Sequence, residues 1–446
     1  MRNLYRCLLF VFLLFPATAF PADLGMVRLS LIEGDVQVMI QDSTDWTGAA
    51  INLPLNESDR LWVPDTGKAE LHIRGGIFVR AGENTALDIL TMTNDSAQLY
   101  LGRGHVYINN RRGGSGTVQI DTPLSSLRSY DDSVMMVYVT EDGITEVSVL
   151  KGYVYAESRA GATHVNAGNS LTIRGENDAD LAPISSPGEW ERWNTERDQR
   201  LTAWRESSRY LPDELHEYSA EFDAHGRWEY VSEYGYVWTP TAVVSTWAPY
   251  SVGRWIWIRG HYVWVAYDPW CWAPCHYGRW VYVSSYGWSW VPPARGAVYW
   301  GPGFVGWTVT PTYVAWVPLA PGEIYYGYGY FGPWSENIAT VNVSTVVVNR
   351  TFVNARARNS VVVVERESFG TGRRIPVKTR DNPFIETRQQ NITNVGIIPP
   401  QVKPREPISI APRELPRQEG RRPPERKLMP REMPGTSHGA TPTPTT

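Results

Sequence analysis

Short runs in which apolar and polar residues alternate recur from about residue 25 to residue 175. Alternation with a period of two is typical of β-strands that bury one face. Pairs such as Gly75-Gly76 and Asp142-Gly143 interrupt the runs, and these residue types favour tight turns. The pattern predicts an antiparallel or solenoid-like all-β domain. The predicted strands are Val27–Ile32, Val36–Ile40, Ala69–Ile73, Ile77–Arg80, Gln98–Leu101, His105–Ile108, Val118–Ile120, Val134–Val139, Glu146–Val149, Tyr153–Ala156 and Ser170–Ile173.

The spacing of large side chains changes to that of a helix over residues 187–210. Ser186-Pro187 precedes this segment and Leu211-Pro212 follows it, which suits the start and end of a helix. The spacing predicts an amphipathic helix whose aromatic stripe packs on the domain that follows, and a ligand-binding stripe is the alternative. The stripe consists of Trp190, Trp193, Arg197, Leu201 and Trp204.

A repeat rich in tryptophan, tyrosine and glycine occupies residues 225 to about 334, and 15 of the 20 tryptophans lie between residues 228 and 334. In its third copy, Trp280-Val281-Tyr282-Val283 and Trp288-Ser289-Trp290 alternate as strands do, and a turn ending in Gly287 separates them. Each copy is therefore predicted to be a β-hairpin. A lone hairpin is marginal in water, so we expect the copies to stack and to bury a shared aromatic face. The lead glycines are Gly226, Gly253, Gly278 and Gly303.

The composition changes again towards the end of the chain. Residues 338–364 are rich in Val, Asn and Thr and read as edge strands. Residues 373–446 hold 14 Lys and Arg against 7 Asp and Glu, a net charge of +7, whereas the whole chain carries −4 and the remainder therefore −11. Fourteen prolines in this segment predict a disordered tail. Its charge could contact anionic envelope polymers or the acidic body of the protein, or the tail could serve solvation alone.

The first residues read as a secretory signal peptide. A basic start, an apolar run from Cys7 to Phe15 and a small-residue site allow cleavage after Ala19 or Ala22. The run is short for a stable membrane span, and an uncleaved anchor is the alternative. No later segment is apolar enough to span. We therefore expect an exported protein in the periplasm or at the cell surface of a Gram-negative-type bacterium.

After cleavage, two cysteines remain, Cys271 and Cys275. An even pair four residues apart in an oxidising compartment favours a disulfide, with free thiols as the alternative. Metal binding is disfavoured because two thiols and His276 lack a fourth ligand nearby.

Residues 23–178 resemble the FecR domain. The resemblance implies a compact β-solenoid or jelly-roll module that faces the periplasm. FecR-type regulators place a cytoplasmic anti-sigma segment and a membrane helix before this module. Here the signal peptide runs almost directly into it, so the regulatory role is not expected to carry over. The matching segments are Glu33-Gly34-Asp35-Val36, Trp46-Thr47, Leu53-Pro54-Leu55, Asp59-Arg60-Leu61, Thr66 to Leu71, Asp121-Thr122-Pro123, Val149 to Val154 and Ala167-Gly168-Asn169.

Residues 187 to about 375 resemble DUF6600 proteins, exported bacterial proteins of unassigned function that often carry a FecR-like domain in front. The family has no assigned catalytic residues. Glycine is usual at position 271, so a disulfide there would be particular to this protein. The resemblance rests on Trp193-Asn194, Arg197-Asp198, Tyr210-Leu211-Pro212, Asp223 to Trp228, Tyr234 to Pro240, Pro269 to Pro274 and His276 to Trp280.

These features predict a mainly β protein. It would comprise a FecR-like β-solenoid or jelly-roll domain, a short linking helix, stacked Trp-rich hairpins and a disordered C-terminal tail. The expected divisions are a signal peptide at 1–22, the FecR-like domain at 23–178, the helix at 187–210, the hairpin repeat at 211–334, Val/Asn-rich strands at 335–372 and the tail at 373–446.

No familiar catalytic motif is present, and we expect neither enzymatic activity nor a cofactor or metal. His225, His261 and His276 recur beside the repeat glycines, which favours a structural role. The expected function is a binding or scaffolding module of the envelope. The alternatives are a periplasmic sensor component of FecR-type signalling or a polysaccharide- or peptidoglycan-binding protein. The partner would be an envelope protein or a glycan, since the net charge gives no argument for nucleic acid. The candidate aromatic binding face is Trp228, Trp238, Trp255, Trp264, Trp280, Trp288 and Trp290.

Overall fold

Strands are the commonest regular element, at 47%, among the residues that the computed structural model describes. Those residues are 25–41, 43, 45–93, 96–110, 116–130, 132–159, 161–202, 206–339, 352–370 and 382–385. The predicted signal peptide, Trp204 and all of the predicted tail except 382–385 lie outside these residues. The prediction of a mainly β protein with Trp-rich hairpins is confirmed. None of the helices in the described part of the chain is long and apolar enough to span a bilayer.

Seventeen strands form the first β domain within the described residues, and each predicted run overlaps one of them. Gln98–Leu101 and His105–Ile108 belong to a single long strand. The strands are β1 (Val27–Glu33), β2 (Gln37–Met39), β3 (Thr47–Gly48), β4 (Pro54–Leu55), β5 (Arg60–Val63), β6 (Lys68–Ile73), β7 (Ile77–Ala81), β8 (Thr85–Met92), β9 (Ser96–Asn110), β10 (Thr117–Asp121), β11 (Ser125–Ser129), β12 (Ser133–Val139), β13 (Thr145–Lys151), β14 (Tyr153–Ser158), β15 (Gly161–Asn166), β16 (Asn169–Ile173) and β17 (Ala179–Pro183).

The long strand β9 belongs to two sheets that share one hydrophobic core. Its first half pairs with β8 and β10, and its second half pairs with β7 and β12. The change of sheet occurs around Gly104, which has a φ of +92° and lies so close to Thr85 that a Cβ would be 2.4 Å from its Cα. Side chains from both sheets, such as Leu71 and Leu99, are fully buried in the common core. The two sheets thus bury a common core, and burial of its apolar side chains stabilises this domain.

Four of the helical segments, at residues 189–225, connect the first β domain to the hairpins, and the others lie among or after the hairpins. The helical segments are α1 (Glu189–Thr202), 3-10 turns at Glu206–Arg209 and Asp213–Tyr218, α2 (Ser219–His225), a 3-10 turn at Pro269–Cys271, α3 (Trp272–His276) and a 3-10 turn at Val353–Arg356.

Helix α1 does not pack as its aromatic stripe predicts. The side chains that it buries most deeply are the polar Asn194 and Asp198, and they face the preceding β domain rather than the domain that follows. Trp190 and Trp193 are only half-buried. The expectation that the stripe packs on the following domain is wrong, because ionic contacts with the first β domain determine which face of the helix is buried.

The repeat folds into four hairpins, one for each predicted copy. Hairpin one is β18 (Gly226–Val231) with β19 (Gly235–Pro240), hairpin two is β20 (Gly253–Ile258) with β21 (His261–Ala266), hairpin three is β22 (Arg279–Val283) with β23 (Gly287–Val291), and hairpin four is β24 (Val305–Val309) with β25 (Tyr313–Pro318). The remaining strands are β26 (Tyr325–Gly327), β27 (Ser335–Asn337) and β28 (Val362–Glu365), and β28 pairs with β25.

The hairpins associate alternately rather than in chain order. Hairpins one and three join into one four-stranded sheet through β19 and β23. Hairpins two and four meet through their tryptophans, with the rings of Trp255 and Trp307 4.6 Å apart. The repeat therefore does not form a row of hairpins stacked in sequence order.

Candidate functional site

Each hairpin places one tryptophan of its first strand directly opposite one of its second strand. The four pairs share one register, and cross-strand pairs of this kind are what stabilises a two-stranded ribbon. Their aromatic faces meet in one core cluster. The pairs are Trp228 with Trp238, Trp255 with Trp264, Trp280 with Trp290 and Trp307 with Trp316.

The lead glycine of each copy makes room for an indole. A Cβ on Gly226 would lie 2.3 Å from the ring of Trp238, and one on Gly278 would lie 2.7 Å from Nε1 of Trp290. Those two indoles donate their N–H groups to nearby backbone carbonyl oxygens, at 3.0 and 2.7 Å. The lead glycine is therefore needed because the backbone at the start of the first strand packs directly against an indole ring.

The candidate aromatic binding face lies almost entirely inside the protein. Six of its seven tryptophans are buried, and Trp228 is half-buried. Their rings therefore do not form one continuous exposed stacking surface, although Trp288 lines a groove beside hairpin three. The physical reason is that a lone hairpin is marginal in water, and burial of these indoles gives the hairpins a shared core.

The two cysteines form a disulfide between Cys271 and Cys275, at the start of the short helix α3. His276, at the end of that helix, is fully buried and stacks on Trp300 with ring centroids 5.1 Å apart. Its Nδ1 lies 2.7 Å from the carbonyl oxygen of Gly301, so the neutral ring can donate a hydrogen bond there. Among the described residues, no group of three or more His, Cys, Asp or Glu is placed to hold a metal ion.

Replacing His276 with asparagine is expected to destabilise the protein more at neutral pH than in acid. Burial lowers the pKa of His276 from 6.5 to about 4, so the stability it contributes is present above 6.5 and is lost as the pH falls towards 4. This loss amounts to about 3 kcal/mol, at about 1.4 kcal/mol per pH unit. Urea unfolding of both proteins at several pH values between about 7.5 and about 4 measures it.

Comparing the two proteins at each pH cancels the titration of groups that they share. One such group is Asp59, whose pKa burial raises to about 6 and which would stabilise the fold as the pH falls. A difference in stability between wild type and the His276→Asn variant that stays constant over this range would contradict a neutral, buried histidine.

A buried ionic network fastens helix α1 to the first β domain. Nε of Arg80 lies 2.7 Å from Oε2 of Glu70, and Nη2 of Arg197 lies 2.6 Å from Oε1 of the same carboxylate. Nη2 of Arg80 also lies 2.7 Å from Asp198, whose other oxygen accepts a hydrogen bond from Tyr107 at 2.7 Å. Burial alone would raise the pKa of Glu70, but Arg197 and Arg80 more than offset it and hold the value at about 2.

A second buried network joins the first β domain to the hairpin domain. Arg28 is fully buried, donates to Asn52 at 3.0 Å and forms an ion pair with Glu221. The Asn52 amide in turn donates to the carbonyl oxygen of Asp268 at 2.8 Å. The guanidinium also lies over the ring of Trp272, 5.7 Å from its centroid. Arg28 and Asn52 of the first β domain are therefore buried against polar groups of the hairpin domain.

An open groove lies beside the turn of hairpin three, with a volume of about 170 Å³. Tyr282 and Trp288 stand opposite each other across the hairpin and form one aromatic wall, with ring centroids 5.6 Å apart at 78°. Tyr282 is 41% exposed, while the Trp288 indole donates to the carbonyl oxygen of Arg358 at 3.3 Å. The lining residues are Thr239, Pro240, Val243, Val244, Ser245, Trp247, Tyr282, Tyr286, Gly287, Trp288, Arg358 and Asn359.

Two family profiles match separate segments of the chain. The profile of the family described as FecR protein matches residues 59–155, and that of a family of unknown function, DUF6600, matches residues 219–323. The chain contains a FecR domain followed by a DUF6600 domain. Both resemblances expected from the sequence are thereby confirmed.

Two crystal structures, each of a candidate anti-sigma factor from Parabacteroides distasonis, at 2.50 and 1.65 Å resolution, are similar to part of this chain. They are 14% and 13% identical over 28% and 31% of this chain, each with a TM-score of 0.26. The matches span 59% and 64% of those chains, less than two thirds. Among curated proteins no significant match is found.

Hairpin two of the DUF6600 domain is buried on both faces. Its aromatic face, with Trp255 and Trp264, belongs to the hairpin core. Its aliphatic face, with Ile256 and Val263, belongs to the core of the FecR domain. The sequence carried a signal for this, because only this copy alternates aromatic with aliphatic residues along both strands, and strands covered on both faces lack polar positions.

The sequence did not predict the polar residues at the interface between the FecR and DUF6600 domains. Arg28 is a single charged residue in an alternating strand, where an outward, solvated side chain is the usual outcome. Its ionic partner Glu221 lies 193 positions further along the chain. No local pattern of residues relates the two.

Proposed function

We propose that the protein is a non-enzymatic, exported component of the bacterial envelope that acts as a binding or scaffolding module, with its FecR and DUF6600 domains working as one unit. The observation that carries the proposal is hairpin two, which is shared between the cores of both domains. A surface that spans both domains keeps its shape when two domains share a core, and this suits a scaffold.

The use of the repeat residues also supports a role without catalysis. The lead glycines make room for indoles, the tryptophans fill a core and His276 is buried with a backbone partner. A general base has to be within reach of a substrate proton, and His276 is buried away from solvent. The residues that characterise the repeat are thus used for packing.

Fractionation of cells that produce the full chain with a C-terminal tag tests the location. We expect the protein outside the cytoplasm, with an N-terminus at Phe20 or Asp23, because the first residues have the pattern of a cleaved signal. Mass spectrometry of the purified protein measures the N-terminus. An intact Met1 on cytoplasmic protein would refute export, and an intact Met1 in the membrane fraction would favour an uncleaved anchor.

A sensor component of FecR-type signalling is the second candidate, favoured by the match to the FecR family at residues 59–155. The two functions differ in what loss of the protein does to transcription. A sensor predicts that deletion changes the transcripts of a small set of genes under one sigma factor. A scaffold predicts envelope defects, such as detergent sensitivity, without such a confined response.

A further inference from the structure

The groove beside hairpin three is a concave site next to an aromatic pair at the hairpin turn. Each of the first three hairpins places a second aromatic pair near its turn. The pairs are Tyr230 with Tyr236, Trp257 with Tyr262 and Tyr282 with Trp288. The first pair lies on the open surface, with Tyr230 63% exposed. At hairpin three, Arg358 and Asn359 stand beside the pair and form a further wall.

The segment that carries this further wall is held in place by hydrogen bonds from Asn354. The buried Asn354 donates from its amide to the carbonyl oxygens of Trp280 and Pro318, at 2.7 and 3.0 Å. The carbonyl of Arg358 is held by the Trp288 indole. The backbone that carries Arg358 is thus positioned, while its side chain remains exposed to solvent.

The chemistry of the groove combines an aromatic wall, hydroxyl and amide groups and a single charge. Arg358 is the only charged residue among those that line it, and no ion pair to Arg358 occurs among the described residues. The groove therefore favours a ligand that has an apolar face, several hydroxyls and a negative charge. A planar guanidinium is well suited to bind a carboxylate through two parallel hydrogen bonds.

The size of the groove restricts what can occupy it. A volume of 170 Å³ is far above the roughly 10–15 Å³ that one water needs and below the roughly 300 Å³ of the smaller small-molecule sites. One ring of a longer chain fits these limits. An extended peptide is disfavoured because β23, at the floor, is already paired with β22 and β19 and offers no free edge for strand addition.

We propose that this groove binds one sugar unit of an acidic polysaccharide. The apolar face of the ring packs on Tyr282, and its carboxylate pairs with the Arg358 guanidinium. The inference deepens the proposed binding function in the envelope and rests on it for the choice of ligand. Binding measured in vitro tests the groove and fractionation tests the location, so the two can fail separately.

Isothermal titration of the full chain with a galacturonic acid hexamer, and with a neutral galactose hexamer, tests the proposal. We expect the acidic hexamer to bind more tightly. Arg358→Gln and Tyr282→Ala are each expected to weaken its binding about tenfold, because one loses the charged hydrogen bonds and the other the ring contact. Arg358→Lys should retain part of the affinity, since it keeps the charge but not the planar fork.

Tyr230→Ala is the matched control, because it removes the equivalent outward tyrosine of hairpin one. Its affinity for the acidic hexamer is expected to equal that of the wild type. The tail at 373–446, with its net charge of +7, could attract any polyanion, so the decisive quantity is the difference between Arg358→Gln and the wild type. The proposal is overturned if Arg358→Gln binds as the wild type does, if neither hexamer binds, or if a glutamic acid hexamer binds as tightly as the sugar.

Discussion

Replacing Gly278 with alanine is expected to lower the free energy of unfolding by about 2–5 kcal/mol. Gly278 has a φ of +62°, and a Cβ there would lie 2.4 Å from the carbonyl oxygen of Val291 and 2.7 Å from Nε1 of Trp290. The new methyl group would push the indole away from the carbonyl oxygen of Tyr277 that it donates to. The free energy of unfolding is therefore lowered by two effects, which are backbone strain at position 278 and displacement of the core residue Trp290.

Gly287→Ala is the control for the backbone penalty alone. Gly287 also has a positive φ, +83°, in the turn of the same hairpin, but a Cβ there would meet nothing within 4 Å. The expected cost is about 1–2 kcal/mol. Chemical denaturation of both variants, followed by tryptophan fluorescence, measures the difference. Equal destabilisation by the two substitutions would contradict the conclusion that the lead glycine is needed to leave space for the indole.

Replacing Glu70 with glutamine is expected to cost about 3–5 kcal/mol, because it removes one partner from a buried ionic network. Glu70 and Arg80 are 1% and 0% exposed, so the guanidinium loses a charged partner that water cannot replace. The bond from Arg197 to Glu70 also weakens, and we expect the end of helix α1 near Arg197 to become accessible to protease. Chemical denaturation and limited proteolysis measure the two effects.

The pH dependence of the Glu70→Gln variant provides a second check. The pKa of Glu70 is held at about 2, below its usual 4.5, so its contribution is fully present above pH 4.5 and is lost as the pH falls towards 2. The difference between wild type and variant should therefore shrink over that range. Asp132→Asn is the control, because Asp132 pairs with Lys151 at 2.6 Å but is 65% exposed.

The expected cost of Asp132→Asn is below about 1 kcal/mol, since water screens exposed ion pairs. A similar cost for Asp132→Asn and Glu70→Gln would show that burial does not strengthen the Glu70 network. A cost of Glu70→Gln that does not change between pH 4.5 and 2 would contradict an ionised carboxylate in its folded environment.

The abundance of tryptophan in this protein reflects the construction of hairpins more than the recognition of a ligand. Four opposed tryptophan pairs give four short ribbons a common core. Ligand recognition is better placed where an aromatic side chain remains exposed and meets a second wall. Among the hairpins, the groove at Tyr282 and Arg358 meets both conditions.

The amino-acid sequence alone determined the class of fold and the unit of the repeat. Alternation with a period of two located the strands, and the 25- to 27-residue spacing of the lead glycines located all four hairpins. These are local properties, because the side-chain period and turn preferences act over a few residues. The hairpin at Trp280 to Trp290 was predicted almost residue by residue for this reason.

Only the tertiary structure decided which surfaces meet. The pairing of hairpin one with hairpin three, the docking of helix α1 through Glu70 and the contact of Arg28 with Glu221 all join segments far apart in the chain. An aromatic residue can fill a core or line a surface, and a charged residue can be solvated or buried with a partner. Which of these occurs depends on the neighbours that the fold supplies, and no pattern within one strand contains that information.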